Sequence, residues 1–595
     1  MACSDSELQQ LVDKWLAWDK NEKTRQEIQD LSQKGDLCSL RSRMLGKLAF
    51  GTAGVRCRME AGFARLNDLT VIQISHGMAK HVINEFGAQK LRGIAVGYDG
   101  RFNSKRFAEL SANVFIQNGI KVYLFSDVVP TPVVSFATKA LNCDAGLMVT
   151  ASHNPKDDNG YKVYWSNGAQ IIAPHDVEIC RMAQAEPEPN LAYWNLENLH
   201  ENPLLQSADD ILENYYESES RMCYHREANK KSSLKITYSA FHGVGSKFAR
   251  RLFEEYGIPK ENIFYEQDEP DPTFPTVPFP NPEEGLKVLQ LCIKTADESG
   301  SNIILANDPD ADRLQLAEKQ TDEKWRIFTG NEMGTLLTWW IYTNWRASHS
   351  TVDLSKVFIL NSTVSSQIVK TMAEVEGFRN QVTLTGFKWM GNVADELRAQ
   401  GDEVILAWEE SIGFMAGSTL DKDGVSAAAI FAEIAMYLDR RGLKMSEQIF
   451  QIYKKYGFHL VRSSYWIVPN SSVTKQIFAD LRKDQAYPPK IGSEAVQFVR
   501  DLTTGYDNSQ PDNKAILPLS TSSEMLTFTL ESGSIVTLRA SGTEPKVKYY
   551  IELKTEPGKE EKDLDNIMQK LANLEKDVVE TLLRPSHYGL ISRDK

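Results

Sequence analysis

Cysteine is sparse and follows no pattern. Seven stand at positions 3, 38, 57, 143, 180, 223 and 292 of a 595-residue chain. The number is odd and no two form a C-x-x-C pair, which excludes a disulfide framework and argues against a structural zinc site. Free thiols fit a reducing compartment. A long hydrophobic run is also missing. The best one, from Ala427 to Leu438, is interrupted by Glu433, and a membrane span needs about 20 apolar residues. The first residues, Met1 to Asp5, lack the basic-then-apolar pattern of a secretory signal. Positive charge is not in excess either: 67 Lys and Arg face 80 Asp and Glu, for a net charge of −13. Such a chain repels a nucleic-acid backbone, although local Arg and Lys can still hold a small phosphate. There is no fixed-period repeat and no low-complexity block. We therefore expect a cytoplasmic protein that acts on small molecules, with no nucleic-acid and no membrane partner. Nothing marks a subunit interface, and a monomer is expected.

What is present is an ordinary globular balance, 42% hydrophobic and 25% charged, over a length that suits about four domains. Leu8, Leu11, Val12, Trp15 and Leu16 fall at helical spacing and predict an opening amphipathic helix. Short apolar runs then alternate with helical patterns. Gly93–Gly97 and Lys121–Phe125 read as buried strands, with a helix over Phe107–Asn118 between them. The rhythm returns at Leu234–Tyr238, Asn302–Leu305, Lys356–Leu360 and Glu403–Leu406. This β-α-β alternation predicts parallel, helix-covered sheets. The polar stretch Ala185–Asp210 and the Pro-rich stretch Asp268–Glu284 read as connections. Past about residue 460 the pattern changes. Thr527–Leu530 and Ile535–Leu538 flank Ser532-Gly533 as a hairpin, Val547–Leu553 follows as a strand, and Leu564, Ile567, Met568, Leu571, Leu574 and Val578 mark a late helix. That end of the chain reads as α+β.

Four groups of residues carry chemistry. Thr150-Ala-Ser-His-Asn-Pro155 follows the apolar run Ala145–Val149, so Ser152 sits at the carboxyl end of a strand, where open α/β sheets bind ligands. A hydroxyl there with His153 beside it can act as a nucleophile; alone, the segment reads better as a capped turn, because adjacent side chains usually point apart. Asn307-Asp-Pro-Asp-Ala-Asp-Arg313 places carboxylates at alternate positions after Ile303–Leu305. Three close carboxylates repel unless a cation lies among them, and oxygen-only ligands suit a hard ion such as Mg²⁺. An EF-hand is excluded, because Arg313 and Lys319 stand where it needs Gly and Glu. Arg539-Ala-Ser-Gly-Thr-Glu-Pro-Lys546 combines hydroxyls and backbone N–H groups in a tight turn with positive charge, a means of holding a phosphate dianion that a polar hairpin loop also resembles. The last group is a set of polar loops at strand ends. These are Phe50–Arg56, Thr385–Trp389, Glu409–Gly413 and Leu420–Gly424, suited to sugar hydroxyls. No G-x-S-x-G elbow, phosphate-binding P-loop or kinase signature is present, and Gly243-Val-Gly245 is only a fragment of a dinucleotide fingerprint. Together the groups point to phosphoryl transfer on a phosphosugar without a bound nucleotide donor.

In this order the segments T-A-S-H-N-P, D-P-D-A-D-R, E-E-S-I-G and R-A-S-G-T-E-P-K, from about Phe50 to Leu553, resemble the α-D-phosphohexomutase superfamily. Pro280–Gly285, Thr385–Gly391 and Asp421–Ser426 look most like its type-2 phosphoglucomutase branch. The resemblance implies an α/β fold of four domains around a central cleft: three related α/β mixed-sheet domains at 1–228, 229–340 and 341–457, and a C-terminal α+β domain at 458–595. It implies a mutase that interconverts 1-phospho and 5-phospho pentoses, and glucose 1-phosphate and glucose 6-phosphate, through a phosphoserine and a bisphosphosugar. Ser152 would be the phosphoserine and, with Asp308, Asp310 and Asp312, a ligand of Mg²⁺. Arg56 and Lys162 would approach the transferring phosphoryl, with Lys162 the acid–base candidate, and His153 would support the serine loop. Arg313, Thr385, Glu409, Ser411 and Lys422 would contact the sugar or its phosphate, and Arg539, Ser541, Gly542, Thr543 and Lys548 the non-reacting phosphate. Glucose 1,6-bisphosphate or a related bisphosphosugar would be the activator. The phosphate loop is shorter than in the type-1 enzymes, and Ile412-Gly413-Phe414 stand where some bacterial relatives carry a His. The rival readings are glucose 1,6-bisphosphate synthesis from 1,3-bisphosphoglycerate, a metal-dependent phosphosugar phosphatase, and a sugar-phosphate sensor.

Overall fold

The computed structural model of the chain describes residues 5–51, 54–185, 188–483, 486–520, 523–541 and 545–593. Two compact units are present. The first comprises Met1–Gly334, Asn344–Ser348 and Gly386–Lys444, the second Thr335–Thr343, His349–Thr385 and Met445–Lys595.

The first unit opens with three helices, Asp5–Trp18, Glu22–Gln33 and Leu37–Met44. The expected apolar stripe holds: Leu8, Val12 and Trp15 are buried and cluster with Ile28, Leu40 and Met44, with Leu11 and Leu16 packed at the edge. A six-stranded mixed sheet follows. Its order is Val55–Arg58, Asp158–Trp165, Ala145–Val149, Ile94–Tyr98, Val122–Leu124, Leu205–Ser207. Ile94–Tyr98 runs parallel to both its neighbours, while Asp158–Trp165 runs antiparallel to Ala145–Val149. The helix Asp68–Phe86 covers it and begins where Asn67 and Thr70 cap each other's backbone N–H, satisfying two of the donors a helix start leaves open.

The second sheet has the order Trp325–Ile327, Leu314–Lys319, Ile303–Asn307, Ile236–Ser239, Ile263–Glu266. The strand Ile303–Asn307 is buried along its length, as its unbroken apolar run predicted. Glu403–Glu409 turns back antiparallel on Gly413–Met415. The run Ala427–Leu438 belongs to the buried helix Gly424–Asp439, started by Asp423, whose carboxylate accepts the Ser426 N–H at 2.8 Å. Glu433 is tolerated there because its carboxylate accepts from the N–H groups of Tyr224 and His225 and from the Asn229 amide.

In the second unit Val357–Ser362 pairs in parallel with Arg379–Thr383. An eight-stranded sheet built around Met525–Leu530, Ile535–Ala540, Lys546–Lys554 and His459–Ile467 is antiparallel at each pairing. The hairpin at Ser532-Gly533 is present, with Gly533 at φ 79°. The late helix spans Leu564–Val578 and buries Ile567, Leu571, Leu574 and Val578.

Two expectations change. The stretch 185–210 is not only a connection, because Leu205–Ser207 adds an edge strand parallel to Val122–Leu124; three half-exposed residues give no alternation to read. Met568 does not face the core but is 40% exposed, since the buried stripe i, i+4, i+7, i+11 from Ile567 leaves its neighbour about 100° round the helix. The described cysteines are all free thiols, and no described helix is long and apolar enough to cross a membrane.

Trp15 is fully buried and edge-on to Phe63 at 5.1 Å. Trp15→Ala is expected to destabilise the amino-terminal helices by about 3–5 kcal/mol, read as a lowered urea midpoint and early proteolysis before residue 46.

Candidate functional site

Ser152 lies just past the strand Ala145–Val149, fully buried, with φ 53°. A left-handed backbone is costly for a non-glycine residue and persists where its surroundings impose it. They do so here. The Ser152 N–H donates to the Thr150 hydroxyl at 2.9 Å, and that hydroxyl donates to Asp99 at 2.6 Å. Arg101, 5% exposed, donates to the carbonyls of Ser152, Asn154, Pro155 and Asp158. This bend also corrects a simple expectation: neighbouring side chains usually point apart, yet Ser152 Oγ is 3.2 Å from His153 Nδ1. Burial, then Arg313 and Arg56, hold the His153 imidazole well below its ordinary value, so the ring is neutral. Arg56, on the edge strand Val55–Arg58 opposite Gly160, donates to Asn154 Oδ1 at 3.3 Å.

The Ser152 hydroxyl donates to Asp308 Oδ2 at 2.7 Å. Asp308, Asp310 and Asp312 are all buried, and each offers an oxygen within 4.8 Å of the others. The loop reverses at Ala311, with φ 54°. Gly243 lies against it: a Cβ there would come within 2.2 Å of Pro309 Cα. Burial, then the charges of Asp310 and Asp312, push the Asp308 carboxyl well above the usual range. Burial opposes ionisation of Asp312 too, but Lys162, Lys422 and Arg313 outweigh it and hold that group low.

The two lysines take the Oδ2 side of this cluster, while Arg313 Nε stands 3.9 Å from Asp312 Oδ1, an ion pair without a hydrogen bond. Lys162 Nζ donates to Asp310 Oδ2 at 2.7 Å and to Asp312 Oδ2 at 2.8 Å. Its pKa is raised, because those carboxylates outweigh the cost of burial, so it is a held ammonium. Thr131 donates to the same Asp310 oxygen at 2.6 Å. The other oxygens, Oδ1 of Asp310 and Oδ1 of Asp312, are buried without a hydrogen-bond donor. Buried carboxylate oxygens are seldom left this way, and with Asp308 alongside they form an all-oxygen donor set that fits a hard divalent cation.

The sugar-type loops meet the same place. Leu314 N donates to Ile412 O at 3.2 Å, and Arg313 bridges to Gly413, so the Asp loop and the Glu409–Gly413 turn are joined by backbone. Glu409 is buried and accepts the Gly386 N–H at 3.1 Å; Ser411 is half-buried in the turn. Arg313 pairs with Glu283. Lys422 is 5% exposed, 3.3 Å from Asp312 Oδ2 and 3.6 Å from Asp421 Oδ1. Asp421, fully buried, accepts from Tyr164 and from Gln170, each at 2.7 Å. Burial raises its neighbour Asp423 to about 6, although Ser426 and Tyr215 donate to it.

The first unit thus gathers Ser152, His153, Arg56, Lys162, Asp308, Asp310, Asp312, Arg313, Glu409, Ser411 and Lys422. The second unit holds the others. Thr385 is half-buried after the strand Arg379–Thr383. Arg539 and Lys548 face each other across adjacent strands, a like-charge pair that is unfavourable unless an anion lies between them. The Ser541 N–H donates to Lys546 O at 2.9 Å. Gly542 and Thr543 lie outside the described residues.

Sequence reasoning missed Arg101, Asp99, Thr131 and the two donors to Asp421, Tyr164 and Gln170. Asp99 and Arg101 had a usable signal, since they follow the strand Ile94–Tyr98 at its carboxyl end, as Ser152 follows its own.

The chain matches the phosphoglucomutase/phosphomannomutase alpha/beta/alpha domains I, II and III over residues 47–190, 213–321 and 329–456. It is 44% identical over 598 residues to the human phosphopentomutase, covering 98% of this chain and 97% of that one. It is also 44% identical over 601 residues to the human glucose 1,6-bisphosphate synthase, covering 99% and 96%. Among solved structures it resembles pp63/parafusin, a phosphoglucomutase from Paramecium in its open form, with a TM-score of 0.64 and 16% identity over 90% of this chain and 96% of that one. Three family domains with mixed α/β architecture, followed by a sheet-rich C-terminal region, place the chain in the α-D-phosphohexomutase superfamily. Within it the chain belongs to the phosphoglucomutase/phosphomannomutase family.

Arg101→Met removes the donor to those carbonyls while filling similar space. We expect the fold to survive and turnover of a phosphosugar to fall about 100-fold, the scale of a 1 Å misplacement of a reacting group, as measured by steady-state kinetics beside circular dichroism.

Proposed function

We propose that the chain is a phosphopentomutase with phosphoglucomutase activity, working through phosphorylated Ser152. The observation that carries this is the Ser152 hydroxyl at 2.7 Å from a buried carboxylate triad with donor-free oxygens. A serine so placed is next to a cation site, which a phosphoryl carrier needs and a hydrolase triad does not.

Asp308, Asp310 and Asp312, with an oxygen of the phosphoserine, would hold Mg²⁺, which supplies charge neutralisation for a transferring phosphoryl group. The chain's own residues do the rest. A free hydroxyl of a sugar monophosphate forms a new P–O bond as the bond from phosphorus to Ser152 Oγ breaks. Lys162, an ammonium held between Asp310 and Asp312, would give its proton to the oxygen that leaves phosphorus and, as the amine so formed, take the proton that the attacking sugar hydroxyl releases. Arg56 adds positive charge beside the phosphoryl, and neutral His153 supports the serine loop. The bisphosphosugar then reverses in the cleft, and its other phosphate returns to Ser152. Glu409, Ser411, Lys422, Thr385 and Arg313 would orient the sugar, and Arg539, Ser541, Gly542, Thr543 and Lys548 would hold the phosphate that is not reacting. A bisphosphosugar such as glucose 1,6-bisphosphate would prime the serine. The domains would run 1–228, 229–340, 341–457 and 458–595, in a cytoplasmic monomer.

Glucose 1,6-bisphosphate synthesis uses the same serine, and the equal identity to both groups of relatives favours neither reading. Turnover of ribose 1-phosphate and glucose 1-phosphate, side by side with Mg²⁺ and a trace of glucose 1,6-bisphosphate, decides. We expect the pentose to be preferred and Ser152→Ala to abolish both reactions with the fold intact. No isomerisation of either sugar, with bisphosphate formed once 1,3-bisphosphoglycerate is added, would assign the synthase instead.

A further inference from the structure

A cavity of about 470 Å³ lies between the amino-terminal helices and the first α/β domain and shares no residue with the serine site. One wall is Leu11, Trp18 and Met44, which precede the matched family domain at residue 47. The facing wall is Phe63, Ile74 and Ala183, from inside that domain. Trp18 and Phe63 meet edge-on at 5.9 Å, giving an aromatic corner. The volume falls in the range of small-molecule sites, about 300–1,000 Å³.

Charge at this cavity is one-sided. Lys14 and Lys47 line it, and no Asp or Glu does among the described residues, although the whole chain is net −13. Lys14 Nζ stands 5.1 Å from the Trp18 ring centroid, and Lys47 Nζ donates to Gln184 at 2.9 Å. Neither lysine has an ion pair among the described residues. Two ammonium groups beside an apolar slot complement an amphipathic anion. With no arginine fork among the lining residues, a dianionic phosphate is less well served than a single negative charge.

We propose that this cavity binds an amphipathic monocarboxylate of the medium-chain fatty-acid class, its chain against Trp18, Phe63 and Ile74 and its carboxylate at Lys14 and Lys47. Burial of the alkyl chain supplies most of the affinity, and the lysines supply selection for the anion.

The test is calorimetric titration of the full-length protein with decanoate and with decanol. We expect saturable one-site binding of decanoate, with decanol weaker by roughly fivefold, the scale of about 1 kcal/mol from exposed charge pairs. The double variant Lys14→Gln/Lys47→Gln changes only exposed side chains, so its fold is expected to be intact. It should weaken decanoate by a similar factor and leave decanol unchanged. Absence of saturable decanoate binding, equal binding of the two probes, or a double variant that binds decanoate normally would each overturn the proposal.

Discussion

Three buried carboxylates that repel one another set the terms for the rest of the site. Oxygens of Asp308, Asp310 and Asp312 lie within 4.8 Å of each other. At an effective dielectric of about 20, each ionised pair at such a distance costs roughly 3–4 kcal/mol. The chain offsets part of this with Lys162 and Lys422 on the Oδ2 side and with Arg313 at 3.9 Å from Asp312 Oδ1, while the Oδ1 oxygens of Asp310 and Asp312 keep no hydrogen-bond donor. The remaining all-oxygen donor set fits a hard divalent cation. The Asp308 carboxyl, pushed up by burial and by its neighbours, is the group that accepts from Ser152.

One strand ties this cluster to the Leu420–Gly424 loop. Lys162 and Tyr164 stand two residues apart on Asp158–Trp165, so they share a face. Lys162 reaches the Asp loop and Tyr164 reaches Asp421 beside Lys422. The same strand pairs with Ala145–Val149, which ends at the serine. Ser152, the Asp308–Asp312 loop and the Leu420–Gly424 loop therefore take their relative positions from a single pair of antiparallel strands. Backbone contact between Leu314 and Ile412 closes the circuit from the other side.

Much of this was legible in the sequence because motifs that end strands keep their spacing. Three Asp residues at alternate positions suggest by spacing and charge that their carboxylates converge, as they do within 4.8 Å, and an apolar run ahead of Ser152 places it at a strand end. What was not legible depends on distant partners. Arg101 works by donating to backbone carbonyls, which leave no signature in residue type. Lys422 meets Asp312, and Tyr164 meets Asp421, across separations that no local pattern encodes. Met568 shows the reverse error, since an apolar residue beside a stripe reads like a member of it until the helix phase is known. In the phosphate loop, Arg539 and Lys548 face one another as the hairpin register requires.

The most direct measurement follows from the carboxylate cluster. If its repulsion is relieved by a cation, Mg²⁺ must bind the folded chain in preference to the unfolded one. Thermal unfolding of metal-free protein titrated with Mg²⁺ should then show a rising midpoint, equivalent to about 2.7 kcal/mol at a hundredfold excess over the dissociation constant. That rise should vanish in Asp310→Ala, which removes a donor-free oxygen. A midpoint that does not move with Mg²⁺, or that moves equally in Asp310→Ala, would contradict the account.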